Sequence, residues 1–164
     1  RKRPGHSGRN RKPGMMTAFD VRLFSDDSTI RRVGEGLLAR TLPRAEWTHE
    51  AHLAACLWLL RERSDIRVEQ QLPDIIRSYN ESVGGVNDDS QGYHETLTQF
   101  YISTVKAHHA EQAELDLLAS VNLLLRSKRG ARDWPLRFYS KDMLFSVRAR
   151  RELVPPDLLD TPHI

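Results

Sequence analysis

Two short stretches, "EWTHEAHL" starting at residue 46 and "GYHETLT" starting at residue 92, hold the residue types best suited to chemistry. The first places His49 and His52 three residues apart. On a helix that spacing leaves two side chains about 60° apart around the axis, so both rings can face one point. With Thr48 as N-cap, both histidines fall near the first turn, where the helix dipole disfavours imidazolium. A neutral imidazole keeps a lone pair for a metal. The second stretch sets His94 and Glu95 behind a Gly-rich loop at another helix start, with Thr98 one turn beyond His94.

Three histidines and a carboxylate suit Zn²⁺, Fe²⁺ or Mn²⁺. The expectation is a site for one divalent transition metal held by His49, His52, His94 and Glu95. Glu95 or Glu50 would serve as general base to a metal-bound water. Asn80, Tyr93, Thr98 and Tyr101 are expected to line a pocket for a substrate or small-molecule ligand. Two histidines with one carboxylate favour non-haem iron oxidation, and a closed His-rich set favours metal-assisted hydrolysis. Glu46 and His49 have the Glu-x-x-His spacing of di-iron bundles, but the position three after Glu95 is Thr98, so no second copy exists.

A plainer reading stands beside this one. Histidines near helix starts also cap and pack, and a first-turn glutamate answers the helix dipole. The same side chains would then form a metal-free His/Glu/Thr network pinning two helices, or a ligand pocket in a non-enzymatic module. His108 and His109 read as partners of a helix C-terminus, Cys56 as a small buried hydrophobe, and Arg148, Arg150 and Arg151 as a solvated helix end. No phosphate-cradling glycine loop, Cys-x-x-Cys pair or Ser-His-Asp arrangement is present.

The elements that must position these groups are helices. Ile30, Val33, Leu37 and Leu38 share one face of a segment over 26–42, with Asp26, Asp27 or Ser28 as N-cap and Gly34 and Gly36 either weakening it or admitting a close neighbour. Leu53, Cys56, Leu57, Leu60 and Trp58 mark a helix running to residue 63. A third spans 68–82, its Pro73 leaving the start uncertain. After the loop "ESVGGVNDDSQG" come helices over 91–108 and 111–127, and a last one starts near Ser140 and stops before Pro155. No alternating strand pattern appears. The chain reads as an all-α, single-domain bundle of five to six helices.

"WTHEAHL" together with "GYHETLT" resembles a family of small bacterial helical proteins with paired His-x-x-His-Leu and Tyr-His-Glu-Thr-x-Thr motifs. His49, His52 and Leu53 match the first motif; Tyr93, His94, Glu95, Thr96 and Thr98 match the second. The similarity runs over residues 42–105, with a fainter echo in "SVRARRELVPPDLL". It implies that both motifs belong to one site, and it implies no particular substrate.

The pI near 9.2 belongs to one end of the chain. Residues 1–14 hold six of the 25 Lys and Arg and no acid, which leaves 19 basic against 22 acidic residues, a net −3. Residues 1–15 are expected to be a basic disordered extension or vector remnant, and 16–164 the folded domain. The basic stretch lacks an aromatic residue to stack on bases, which disfavours nucleic-acid binding. No apolar run reaches the ~18 residues of a membrane span, and a single cysteine precludes an intrachain disulfide. A cytoplasmic location is the corresponding expectation.

Overall fold

All but one of the described α-helices begin where a side chain accepts from an amide that the helix leaves unpaired. Asp26 accepts from Thr29 and opens α1 (Asp27–Ala39); Thr48 accepts from Ala51 and opens α2 (His49–Glu62). Helix α3 is Val68–Ser82, and α4 (Glu95–Glu111) is capped by the ring of His94. Asp116 opens α5 (Leu117–Arg126). Ser140 and Ser146 open two short helices, α6 (Lys141–Leu144) and α7 (Val147–Arg151). The computed structural model describes residues 21–158, which form one all-α domain with no strand among them. The expectation for residues 1–15 lies outside the described residues.

Helix α2 is the centre of the bundle. Residues 53–59 are all buried, and an apolar surface on every side requires neighbours on every side. Helices α1, α4 and α5 supply most of them. Gly34 of α1 lets the Trp58 ring of α2 lie where a side chain would otherwise be, so the expected close neighbour is real. Helix α4 is buried on two faces. Ile102 and Val105 join the main core, while Phe100 joins a second cluster with Phe138, Tyr139, Leu144, Ala149 and Val154. The segment over 138–154 is thus packed onto α4.

Pro73 sits inside α3 without breaking it. Proline has no N–H, so the carbonyl of Glu69 four residues earlier loses its helical donor. The Gln99 side chain of α4 donates to that carbonyl at 3.2 Å instead. The last expected helix is in fact two, because Phe145 and Ser146 interrupt it and Ser146 caps afresh. The fifth starts at Leu117 and not near 111, since residues 112–114 turn and Asp116 supplies the cap. Among the described residues no helix is long and apolar enough to cross a membrane.

Candidate functional site

A cavity of about 580 Å³ opens among α2, α3, α4 and the loop over 83–94. His49, His52 and His94 all line it, and so do Asn80, Tyr93, Thr98 and Tyr101. The two histidine motifs therefore meet in space. At their meeting point His49 packs edge-on against Tyr101, ring centroids 5.5 Å apart.

The hydrogen bonds of each ring determine what it can still offer. The His49 Nε2 lies 2.8 Å from the Gly130 carbonyl, and His52 Nδ1 lies 2.6 Å from the Thr48 carbonyl. A carbonyl only accepts, so those nitrogens carry the protons and the opposite ones, His49 Nδ1 and His52 Nε2, keep lone pairs. His52 is stacked on Trp47 at 3.7 Å and lines the cavity at an exposed position. Desolvation where its ring packs lowers its pKa. His49 is lowered in the same direction, by burial first and then by the charge of Arg132. At neutral pH the cavity presents two uncharged imidazoles as acceptors.

His94 is different. Its Nδ1 accepts from the Leu97 amide at 3.1 Å, and its Nε2 donates to the Leu144 carbonyl at 2.8 Å. Both nitrogens are engaged, one in capping α4 and one in fastening α6 to it. Thr96 continues the seam: its hydroxyl donates to the Glu152 carbonyl at 2.8 Å and accepts from the Val154 amide at 3.2 Å. Arg150 donates to the carbonyls of Gly92 and Tyr93, and Arg151 pairs with Asp89. Arg148 and Arg151 are exposed, as a solvated helix end should be, and Arg150 and Arg151 also clasp the loop that borders the cavity. That loop enters the motif through Gly92 at φ 78°, where a Cβ would come 2.2 Å from the Val86 carbonyl.

Neither candidate general base is part of the cavity wall. Glu95 accepts from Tyr93 Oη at 2.6 Å and from Gln99 Nε2 at 3.1 Å, with Arg77 3.8 Å away. Glu50 is 6% exposed, turned towards the Arg132 guanidinium at 3.9 Å. Tyr101 donates to the Ala131 carbonyl, and Asn80 donates to Asn87, which in turn receives the Tyr93 amide. Burial raises both Tyr93 and Tyr101, the former also through its bond to Glu95, so both phenols stay protonated. Cys56 lines the cavity as a thiol, its pKa pushed up to about 12 by burial. Among the described residues no group of three or more His, Cys, Asp or Glu side chains is disposed to hold a metal ion.

The lowered histidines predict an acid-sensitive fold. His49, His52, His94 and His108 all have pKa values depressed chiefly by burial. The unfolded chain takes up these protons near pH ~6.5, and the folded chain only at lower pH. Stability present above pH ~6.5 is therefore lost as pH falls toward the folded values. Thermal melts should be level between pH 7 and 8 (about neutrality) and decline between pH ~6.5 and ~5, before most carboxylates titrate. His108→Gln, at a buried position where an amide can still donate to the Ser120 carbonyl, should flatten that decline; an unchanged slope would contradict the assignment.

Trp47 and Arg44 also line the cavity, and sequence reading passed over both. The signal was present in "RAEWTH", where an aromatic lies two residues before His49. Tyr79 reaches the same cavity and donates to the Leu42 carbonyl at 2.8 Å. His108, expected as a C-terminal dipole partner, is buried and bonds the Ser120 carbonyl at 2.9 Å, joining α4 to α5. Comparison of the chain with protein-family models, with curated proteins and with solved structures finds no match. The functional reading therefore rests on geometry.

Proposed function

We propose that the chain binds a small organic molecule in the cavity where its two histidine motifs meet. The observation that carries this is the convergence of His49, His52, His94, Asn80, Tyr93, Thr98 and Tyr101, drawn from separate segments, on one cavity of about 580 Å³. That volume falls within the range of ligand pockets, as does a mainly apolar and aromatic wall with few polar groups. In this reading His49 and His52 recognise the ligand, while His94, Glu95 and Thr96 build the wall that holds its shape.

Calorimetric titration with indole, a neutral aromatic of suitable width, tests the reading. Binding should carry a negative heat-capacity change, the mark of apolar burial. Thr98→Trp, at a half-buried position on the wall, should fill the cavity and weaken binding at least tenfold while the circular dichroism stays unchanged. Equal affinity of indole for wild type and Thr98→Trp would sink the proposal.

A second reading is supported by the two uncommitted lone pairs at His49 Nδ1 and His52 Nε2. Two imidazoles could hold one divalent transition metal, Zn, Fe or Mn, with oxygen ligands from a bound molecule completing the shell. Elemental analysis of tag-free protein separates the two. Near-stoichiometric metal that disappears in His49→Ala/His52→Ala supports the metal reading. Protein that stays metal-free when offered Zn²⁺ or anaerobic Fe²⁺ supports an organic ligand alone.

A further inference from the structure

The cavity wall carries one kind of charge. Among the described residues Arg44 lines it, and no aspartate or glutamate does. Arg44 belongs to a 3₁₀ turn at Arg44–Glu46, directly before Trp47, so the chain sets it beside the Trp47–His52 stack. Its neighbour Glu46 is taken by Arg32. The Arg44 guanidinium itself has no hydrogen bond or ion pair among the described residues. It is exposed at the mouth, where a planar five-donor fork matches a carboxylate or phosphate.

The interior makes a complementary demand. His49 Nδ1 and His52 Nε2 are acceptors, and both rings are held neutral, so they add no positive charge of their own. They can accept from an N–H or O–H donor on whatever lies beside them. Trp47, Tyr79, Tyr93 and Tyr101 offer aromatic surface, which favours a flat ring. A cation would find no carboxylate among the described residues of the wall, and a purely apolar molecule would make no use of the two imidazole acceptors.

We infer that the occupant is a small organic anion built on a planar ring that donates hydrogen bonds, its acid group at Arg44 and its ring donor at His49 or His52. The inference rests on the cavity being a ligand site. The imidazoles read the donor, and the guanidinium reads the charge. The aromatic wall supplies most of the affinity, and a charge-assisted hydrogen bond at the mouth supplies the preference for the acid.

Four probes test it by calorimetry at neutral pH: indole, indole-3-acetate, indole-3-acetamide and 1-methylindole-3-acetate. In wild type, indole-3-acetate should bind about tenfold more tightly than its neutral amide, and N-methylation should cost a similar factor. Arg44→Met, at an exposed position, should erase the acid-over-amide ratio, and one of His49→Phe and His52→Phe should erase the N-methyl effect; persistence of that effect in both would overturn the donor role of the imidazoles. If indole binds but the acid is no tighter than the amide, the anion class is overturned while the pocket stands. If neither indole nor any acid binds, both the anion and the pocket are overturned.

Discussion

His94→Ala should destabilise the fold by about 3 kcal/mol without emptying the cavity wall of its other polar groups. The figure has two parts. Removing an N-cap acceptor costs roughly 1 kcal/mol, here the bond from the Leu97 amide. Leaving a buried carbonyl without its donor costs a further 1–3 kcal/mol (roughly), here at Leu144, which is 2% exposed. His94→Asn divides the two: asparagine is a good N-cap but too short to reach Leu144, so it should recover about 1 kcal/mol of the loss. Chemical denaturation of the three proteins gives both numbers. The pair also bears on function. If His94 only builds the wall, the folded Asn variant should bind indole within about threefold of wild type. If His94 were a metal ligand, Asn and Ala would abolish metal uptake alike, and the stability rescue would bring none back.

How this role escaped the sequence is physically clear. Spacing tells which face of a helix a histidine occupies, but which nitrogen it uses depends on carbonyls brought from elsewhere. For His49 that partner is 81 residues away, and for His94 it is 50 residues away. Histidine is also an uncommon cap, so the fourth helix was expected to start near residue 91 and not after His94. The second and third helices were legible because Thr48 is a strong cap and the apolar stripes are unbroken; α3 occupies the expected 68–82. Seven of the residues around the cavity were legible too, His49, His52, Asn80, Tyr93, His94, Thr98 and Tyr101, since polar and aromatic side chains at two helix starts have few other reasons to recur. The charges were not. Glu95 and Glu50 read as bases by type, yet the one answers Tyr93 and Gln99 and the other faces Arg132. The arginines of α7 read as solvent-facing because nothing in "RARR" reveals that Gly92 and Asp89 lie beneath it.

Gly34→Ala should lower stability by roughly 2–3 kcal/mol and loosen the site at the same time. On helix propensity alone the change gains about 1 kcal/mol, because glycine is the poorer helix former. Packing decides against it. A Cβ at position 34 would lie 2.1 Å from Trp58 Cε3 and 2.5 Å from Cζ3, well inside contact distance. Trp58 is 2% exposed in the middle of α2, with buried neighbours along the helix, so the ring has little room to rotate away. The remaining relaxation is a shift of α2 against α1, which opposes the propensity gain and exceeds it. The melting temperature should fall by roughly 5–10 °C. Gly36→Ala is the control: its Cβ would meet the Leu42 Cβ at 3.0 Å, a contact a few tenths of an ångström too close, and it should stay within about 1 kcal/mol of wild type. Because α2 carries His49 and His52, a shift that relieves Trp58 also moves both imidazoles relative to Tyr101 on α4. Indole affinity of the folded Gly34→Ala protein should therefore drop several-fold while that of Gly36→Ala holds. Full stability in Gly34→Ala would mean that Trp58 does not lie against α1. A destabilised protein with undiminished indole affinity would place the ligand away from the start of α2, and with it His49 and His52 outside the recognition step.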